Sequence, residues 1–377
     1  MRIGWMLMVL VGCGLPDPQW VGEHVELAAD QGLKPCGDAV GHMDAYVDLV
    51  AAALGVPAPT GDDRISFYWL HAEGFAERTV CVHEGACSVR GNVYSSGMPL
   101  DHELVHTLAR GFGTSSPFFL EGLAVAFEVA QPADPRDAVP ISWYLTSETP
   151  IAAAIESREG GWLPPEQYPL AGAFTAFLIE RHGIAAVLRV YSDLGLTSSV
   201  GRISRVFNNE FGESLAAAEA AFMAEVVATN GRCPLRAYRL KVFECAAPEI
   251  LWDGQSLRMF ETLSCDTDGA VGPFGGGDLA AYRTLEVPAG GMYEVSLIGD
   301  AGAGSEGRWN RAVLVRCGGC EGYAELTISA EDAVKRVEVP AGRYSVQLLG
   351  PVHVASGVGL RVERAADERP KPADEGP

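Results

Sequence analysis

Basic residues are scarce in this chain of 377 residues, which has 28 lysines and arginines against 49 aspartates and glutamates. The formal net charge of −21 repels the phosphates of nucleic acids and of anionic lipids. We therefore expect no nucleic-acid partner and no electrostatic attachment to a membrane surface. Hydrophobic residues still make up 48% of the chain, which is enough for ordinary cores, and the length suits two domains.

Long apolar runs are missing as well, because no segment has the ~18 uninterrupted apolar residues of a membrane-spanning helix. The apolar stretch at residues 3–12 is shorter and follows Arg2, as in a signal peptide. It runs into Leu10-Val11-Gly12-Cys13, which resembles the lipobox of bacterial lipoproteins. The resemblance implies a signal peptide over 1–12, acylation of Cys13, a tether over 13–19 and a lipid anchor in the cell envelope, facing the periplasm or the cell surface. A misassigned start followed by a free thiol is the alternative.

Free thiols are not expected among the other eight cysteines, because an even number in an exported chain indicates disulfides. Cys317 and Cys320 resemble half of a zinc knuckle or a redox pair, but no second pair and no strand-then-helix context accompanies them. Three of the eight precede residue 100 and five follow residue 232. Both counts are odd, so complete pairing requires a disulfide between the two regions. The eight are Cys36, Cys81, Cys87, Cys233, Cys245, Cys265, Cys317 and Cys320.

The pattern of apolar residues changes near residue 233 and predicts two domains. Residues 20–232 combine helical spacing, as in the apolar face that follows Asp38, with a β-branched and aromatic strand over 65–70. Residues 233–365 are short β-like runs between glycine and aspartate clusters, and the segment 287–297 recurs as 339–348 with one residue fewer. We therefore predict an α+β fold in which an all-β, sandwich-like domain follows the first domain. The tail 366–377 is rich in proline and charge and is predicted to be disordered.

Two helices with a glycine-containing turn between them are predicted around residues 100–129. The first covers about 100–110 and ends at Gly111 and Gly113. The second begins after Ser116, a suitable N-cap, with Pro117 at its first position. Further helices are predicted over 169–182, 184–194 and 213–229, with a long loop over 131–167.

The first of these two helices has the motif His-Glu-x-x-His at residues 102–106. Residues i and i+4 share a helix face, so the imidazoles of His102 and His106 can bind one metal ion. Glu103 is rotated by about 100° from His102, which places its carboxylate beside the ion rather than on it. In such a site zinc lowers the pKa of a water molecule towards ~7, and Glu103 takes its proton as general base. The motif also arises by chance in about 1% of chains of this length, so its context decides.

The context includes a third ligand, which a catalytic zinc needs in addition to a position left open to water. The second helix supplies Glu121, because the short turn folds this helix back on the first. The His-Glu-Leu-Val-His motif and the later Glu-Gly-Leu-Ala at 121–124 resemble the gluzincin metallopeptidases, most closely their peptidase-MA-like branch. This resemblance covers about residues 64–228. It implies a Zn²⁺ cofactor held by His102, His106 and Glu121, Glu103 as the base, and a peptide or protein substrate.

The resemblance has one departure and leaves two neighbouring residues with alternative roles. The 14 residues between His106 and Glu121 are fewer than in better-known gluzincins, which leaves less room for a substrate cleft. Three roles are open for Glu128: it is a hydrogen-bond partner of a ligating imidazole, or a solvated helix charge, or a third ligand in place of Glu121. Tyr168 is a candidate catalytic residue that stabilises an oxyanion, or a structural tyrosine at a helix start. Tyr144 and His182 are further candidates for the oxyanion role.

These observations predict a zinc-dependent peptidase of the cell envelope. A non-catalytic, zinc-containing binding or adhesion lipoprotein is the alternative, in which the β domain binds a partner and the protease-like domain is a scaffold. Glu103 favours the enzyme, because a scaffold needs the zinc ligands but not the base. A chance motif in a structural protein of the envelope is the third possibility.

Overall fold

The computed structural model contains helices and several β-sheets, which confirms the predicted α+β class. The predictions for residues 1–12, Cys13, Tyr144 and the tail 366–377 lie outside the residues that the structure describes. No helix in the described part of the chain is long and apolar enough to cross a membrane. The described residues are 14–81, 85–99, 101–128, 150–157, 161–228, 245, 247–252, 256–274, 277–300, 310–318, 324–330 and 332–365.

The described residues between 14 and 228 form the first region, which is built on a five-stranded sheet whose central strands pair in parallel. Its strands are β1 (Trp20–Val21), β2 (Val25–Ala29), β3 (Ile65–Trp69), β4 (Ala86–Val89) and β5 (Asn92–Ser95). They lie in the order β1-β2-β3-β5-β4, and β3 pairs in parallel with both β2 and β5. Ile65, Phe67 and Trp69 alternate into the core, as their β-branched and aromatic character predicts.

The helices of this region confirm most of the predicted segments. Helix α8 (Val200–Phe211) was not predicted, although Val200, Ile203, Phe207 and Phe211 have the spacing of an amphipathic helix; it buries only Ile203 and Phe207. The loop predicted over 131–167 is wrong in part, since α5 and a 3-10 turn at Pro165–Gln167 lie within it. The helices described are α1 (Ala39–Leu54), α2 (Phe75–Arg78), α3 (Asp101–Ala109), α4 (Pro117–Phe127), α5 (Ile151–Glu156), α6 (Tyr168–His182), α7 (Ile184–Asp193), α8 (Val200–Phe211) and α9 (Leu215–Ala228).

An aromatic cluster in the core holds α4, α6, α8 and α9 together. The ring centroid of Phe174 lies 6.3 Å from that of Phe118, 6.4 Å from that of Phe207 and 5.6 Å from that of Phe222. All four rings are buried, and each contributes about 1.5–3 kcal/mol relative to an exposed ring. The cluster therefore fixes α4 against α6 and positions the polar residues on α4.

The region after residue 245 contains two sheets that share a second core. The described strands form the orders β11-β10-β13-β8-β6 and β12-β9-β14-β7, and residues of both sheets meet in one apolar cluster. We call this part the two-sheet region. Its strands are β6 (Glu249–Ile250), β7 (Ser256–Leu263), β8 (Asp278–Val287), β9 (Gly291–Gly299), β10 (Arg311–Arg316), β11 (Glu325–Ser329), β12 (Lys335–Val339), β13 (Gly342–Pro351) and β14 (Ser356–Arg364).

The recurring sequence segment forms two equivalent corners in this region. Each Val-Pro-Ala-Gly stretch leads from a strand of one sheet to a strand of the other, from β8 to β9 and from β12 to β13. The hydroxyl of Tyr344 donates to the carbonyl oxygen of Pro340 at 2.9 Å, four residues back. The hydroxyl of Tyr293 donates in the same way to the carbonyl oxygen of Ala289. The recurrence is therefore a repeated structural unit.

Three disulfides lie among the described residues, and one of them joins the two regions. Because Cys317 is paired with a residue 72 positions earlier, it does not form a zinc knuckle or a redox pair with Cys320. Cys233 and Cys320 themselves lie outside the described residues. The pairs are Cys36–Cys265, Cys81–Cys87 and Cys245–Cys317.

Candidate metal centre

Helix α3 presents the two motif histidines side by side. Its apolar residues Leu104 and Val105 are fully buried in the core, which fixes the rotation of the helix. His102 and His106 then share another face, with their ring centroids 4.8 Å apart in an edge-to-face arrangement. Their Nε2 atoms are 3.1 Å apart, so both nitrogens point at the same place.

The turn after α3 brings Glu121 to the two histidines. The helix continues into a 3-10 turn over Arg110–Phe112, and Gly113 follows with a φ of 89°. This left-handed conformation suits glycine and lets α4 run back along α3. As a result, Oε2 of Glu121 lies 3.0 Å from Nε2 of His102 and 3.3 Å from Nε2 of His106.

The three converging atoms fit a zinc ion. They form a triangle with sides of 3.0, 3.1 and 3.3 Å. A tetrahedral zinc with bonds of about 2.0–2.1 Å holds such ligands about 3.3 Å apart, so one ion fits with little movement. Two imidazoles and one carboxylate are also the donor set of several catalytic zinc sites. Within the described ranges, no other group of three His, Cys, Asp or Glu side chains converges in this way.

The electrostatics of the cluster favour a cation. Burial lowers the pKa of His102, but the hydrogen bonds and charges of Glu121 and Glu128 outweigh burial and raise this pKa well above its ordinary value. Burial raises the pKa of Glu121, but the charges and hydrogen bonds of His106 and His102 leave this pKa well below its ordinary range. The lone pairs of the two imidazole nitrogens and of the Glu121 carboxylate point at one another and repel. A proton or a metal ion between them relieves this repulsion, so zinc competes with protons for the site.

Glu128 approaches the opposite side of the His102 ring. Its Oε2 is 3.4 Å from Nδ1 of His102, and the residue is only 4% exposed. A proton that Nδ1 donates to this carboxylate leaves the lone pair of Nε2 free for a metal. The interpretation of Glu128 as a solvated charge is therefore wrong. Glu121, and not Glu128, is the carboxylate that lies beside both Nε2 atoms.

Glu103 lies next to the ligands in the chain but outside the triangle that they form. It is 8% exposed, and its backbone carbonyl accepts a hydrogen bond from Oγ1 of Thr107 at 3.0 Å. Among the described residues, none hydrogen-bonds or ion-pairs with its carboxylate. The role of Glu103 as general base stays a prediction.

The two oxyanion candidates that the structure describes have different surroundings. The ring of Tyr168 is parallel to that of His102, with the centroids 5.9 Å apart and the planes at 6°. Tyr168 therefore lies beside the group formed by His102, His106 and Glu121. Nε2 of His182 instead lies 2.8 Å from Oε1 of Glu213, and its ring stacks on Phe211. His182 is not among the residues that converge on the cluster.

Tyr191 is a neighbour of the site that the sequence did not single out. It lies on α7 and is 2% exposed. Burial raises the pKa of its hydroxyl, and the charge of Glu121 raises it further. The sequence has no motif around Tyr191, and its apolar spacing on α7 predicts only a core residue. Its proximity to Glu121 follows from the packing of α7 alone.

Gly122 allows α4 to pack closely against α6, which buries the neighbouring Glu121. A Cβ atom on Gly122 would lie 2.4 Å from Oγ1 of Thr175 and 2.7 Å from the carbonyl oxygen of Ala171. Both neighbours are on α6 and are fully buried, so they have little room to move. Only glycine therefore permits this close crossing of α4 and α6.

Gly122→Ala is expected to push α4 away from α6. We expect overpacking to destabilise the protein by about 1–3 kcal/mol and zinc to bind more weakly, because Glu121 moves with the helix. Denaturant unfolding and zinc titration measure the two effects. Gly111→Ala is the matched control, because nothing lies within 4 Å of a Cβ at Gly111. Equal stability and zinc affinity in the two variants would contradict the role of Gly122.

Comparisons with known proteins give no close relative. No protein-family model matches the sequence, and no curated protein matches it. The pre-peptidase C-terminal domain of a collagenase from Bacillus anthracis aligns with a TM-score of 0.22 and 15% identity, over 31% of this chain and 94% of that one. PliG from Salmonella Typhimurium, a periplasmic inhibitor of g-type lysozyme, aligns with a TM-score of 0.20 and 12% identity, over 30% of this chain and 94% of that one. Scores this low do not establish a common fold.

Proposed function

We propose that this chain is a zinc-dependent peptidase of the gluzincin type, of the peptidase-MA-like branch, that works in the cell envelope. The observation that carries the proposal is the convergence of three ligand atoms within 3.0–3.3 Å of one another. They come from the His-Glu-x-x-His helix and from the Glu-Gly-Leu-Ala helix, which are the two segments that resemble the family. The proposed substrate is a peptide or a protein.

The proposed chemistry divides between the metal and the surrounding side chains. His102, His106 and Glu121 would hold a zinc ion, which would supply Lewis-acid chemistry towards the peptide carbonyl and a water molecule. Glu103 accepts the proton of the attacking water and passes it to the leaving amine. Tyr168, beside the ring of His102, is the proposed hydrogen-bond donor to the carbonyl oxygen as its charge develops.

Removal of the metal tests the proposal. We expect the purified protein to contain about one zinc per chain and to hydrolyse members of a broad peptide library. A chelator should abolish this hydrolysis, and one equivalent of Zn²⁺ should restore it, because His102, His106 and Glu121 form one binding site per chain. A protein that holds zinc but cleaves no member of the library would favour the binding or adhesion lipoprotein instead.

The proposed location depends on Cys13, which should carry the lipid anchor. Cys13→Ser is expected to move the protein from the membrane fraction to the soluble fraction, because the acyl chains are lost. Detergent partitioning of the two forms measures this change. Cys265 offers no such site, because it forms a disulfide with Cys36. Partitioning that is the same in wild type and Cys13→Ser would refute the anchor.

A further inference from the structure

The two-sheet region is fixed to the start of α1 by covalent and backbone contacts. The disulfide Cys36–Cys265 joins the two regions. Beside it, the backbone N–H of Gly37 donates to the carbonyl oxygen of Cys265 at 2.7 Å, and that of Asp38 to the carbonyl oxygen of Ala270 at 3.0 Å. Helix α1 begins at the next residue, so its first turn is held against the two-sheet region.

A line of buried side chains leads from this joint to the metal-binding helix. The ring of Tyr282 on β8 stacks on His42 of α1, with centroids 5.7 Å apart and planes at 25°. Nε2 of His42 lies 4.0 Å from Oδ2 of Asp101, the first residue of α3. The next residue is the metal ligand His102. These four residues are between 3% and 8% exposed, so the whole line is shielded from water.

We propose that His42 and Tyr282 are positioning residues of the metal centre, through which the two-sheet region holds the start of α3 in place. The inference rests on the proposed zinc site. It makes the two-sheet region a working part of that site rather than a separate module attached to it. His42 and Tyr282 touch neither substrate nor metal, and they act through Asp101 on the orientation of His102.

The physical reason is the burial of Asp101. A carboxyl group taken out of water is costly unless nearby polar groups compensate for the lost hydration. The positive end of the α3 dipole favours a carboxylate at this position. The imidazole of His42, 4.0 Å from Oδ2 of Asp101 and beyond direct hydrogen-bond distance, gives the carboxyl a polar neighbour, and the ring of Tyr282 lies against the imidazole. Without the imidazole, we expect Asp101 to turn towards water. The first turn of α3 then rotates and carries His102 away from His106.

His42 could either only fill space in the core or hold the start of α3 in place, and these two roles predict different zinc affinities for His42→Phe. Phenylalanine keeps an aromatic ring of similar size against Tyr282 but lacks the nitrogen that faces Asp101. If the contact only fills space, zinc binding does not change. If His42 positions α3, zinc binds about tenfold more weakly, near the lower end of the 10–100-fold losses seen for groups that support metal ligands.

The test compares variants of the full-length protein in two measurements. The zinc dissociation constant is measured by competition with a chelator, and hydrogen exchange of the α3 amides is measured without metal. For His42→Phe and Tyr282→Leu we expect zinc binding about tenfold weaker and faster exchange at α3, with less than additive losses in the double variant. Tyr282→Phe retains the ring and should behave as wild type.

His24→Phe is the matched control. His24 is also 3% exposed and faces a carboxylate, with its Nε2 3.0 Å from Oδ1 of Asp48. It should change neither zinc affinity nor exchange at α3. Should Tyr282→Leu fail to fold, the comparison of His42→Phe with His24→Phe decides alone. Wild-type zinc affinity and wild-type exchange in His42→Phe would overturn the inference and leave the peptidase proposal intact. If wild type binds no zinc, the peptidase proposal and the role of His42 and Tyr282 at a metal centre both fall, and exchange at α3 then shows only whether the two residues hold the start of that helix.

Discussion

Glu103→Gln is expected to reduce peptide hydrolysis by about 10²–10⁴-fold while one zinc per chain stays bound. The amide keeps the size of the side chain but cannot accept a proton from water. Zinc remains because Glu103 is outside the triangle of ligand atoms. Hydrolysis of a peptide library, measured at equal zinc content for both proteins, gives the loss.

Glu77→Gln is the control for this change. Glu77 is exposed on α2 and takes no part in the metal cluster, so its replacement should leave hydrolysis unchanged. If wild type cleaves no faster than Glu103→Gln while both hold zinc, the enzyme proposal fails. The zinc site would then remain as part of a binding lipoprotein.

Glu121→Gln is expected to weaken zinc binding, whereas Glu103→Gln should reduce hydrolysis and leave zinc bound. The variant replaces the anionic ligand by a neutral one, and His106→Ala removes a ligand altogether. We expect His106→Ala to lose stoichiometric zinc and Glu121→Gln to hold it far less tightly. Both should lose hydrolysis in proportion to the zinc they lose. Metal analysis after dialysis, with zinc titration of each variant, measures the effect.

His71→Ala is the control for these ligand variants. His71 is exposed, and its Nε2 lies 3.1 Å from the carbonyl oxygen of Gln31, away from the cluster. Zinc content should therefore be the same as in wild type. Equal zinc in wild type and His106→Ala would show that the ion is held elsewhere.

The convergence of His102, His106 and Glu121 could be predicted because the sequence motifs that indicate it are local. Residues i and i+4 of one helix must share a face, so the pairing of His102 with His106 needs no knowledge of the rest of the fold. Glu121 follows from a short turn between two helices. Its depth depends in addition on Gly122, whose packing against α6 is tertiary. The sequence therefore predicted which residues meet, and the fold determines how closely.

The surroundings of the cluster could not be predicted, because they depend on contacts between distant segments. Tyr191 lies close enough to Glu121 for the charge of this carboxylate to raise the pKa of its hydroxyl only because of the packing of α7, and no motif in the sequence marks it. His42 has no ligand spacing to another histidine in the sequence, so the sequence alone indicates only an ordinary surface or core histidine. Its contact with Tyr282 joins residues 240 positions apart in the chain. Such pairs leave no pattern in a single sequence.

The position of the bound metal tests the proposed zinc site most directly. Crystals of the zinc-loaded protein, measured on both sides of the zinc absorption edge, locate the ion by its anomalous scattering. We expect one strong peak about 2.0–2.2 Å from Nε2 of His102, Nε2 of His106 and a carboxylate oxygen of Glu121. A zinc peak elsewhere, or none between these three side chains, would contradict it.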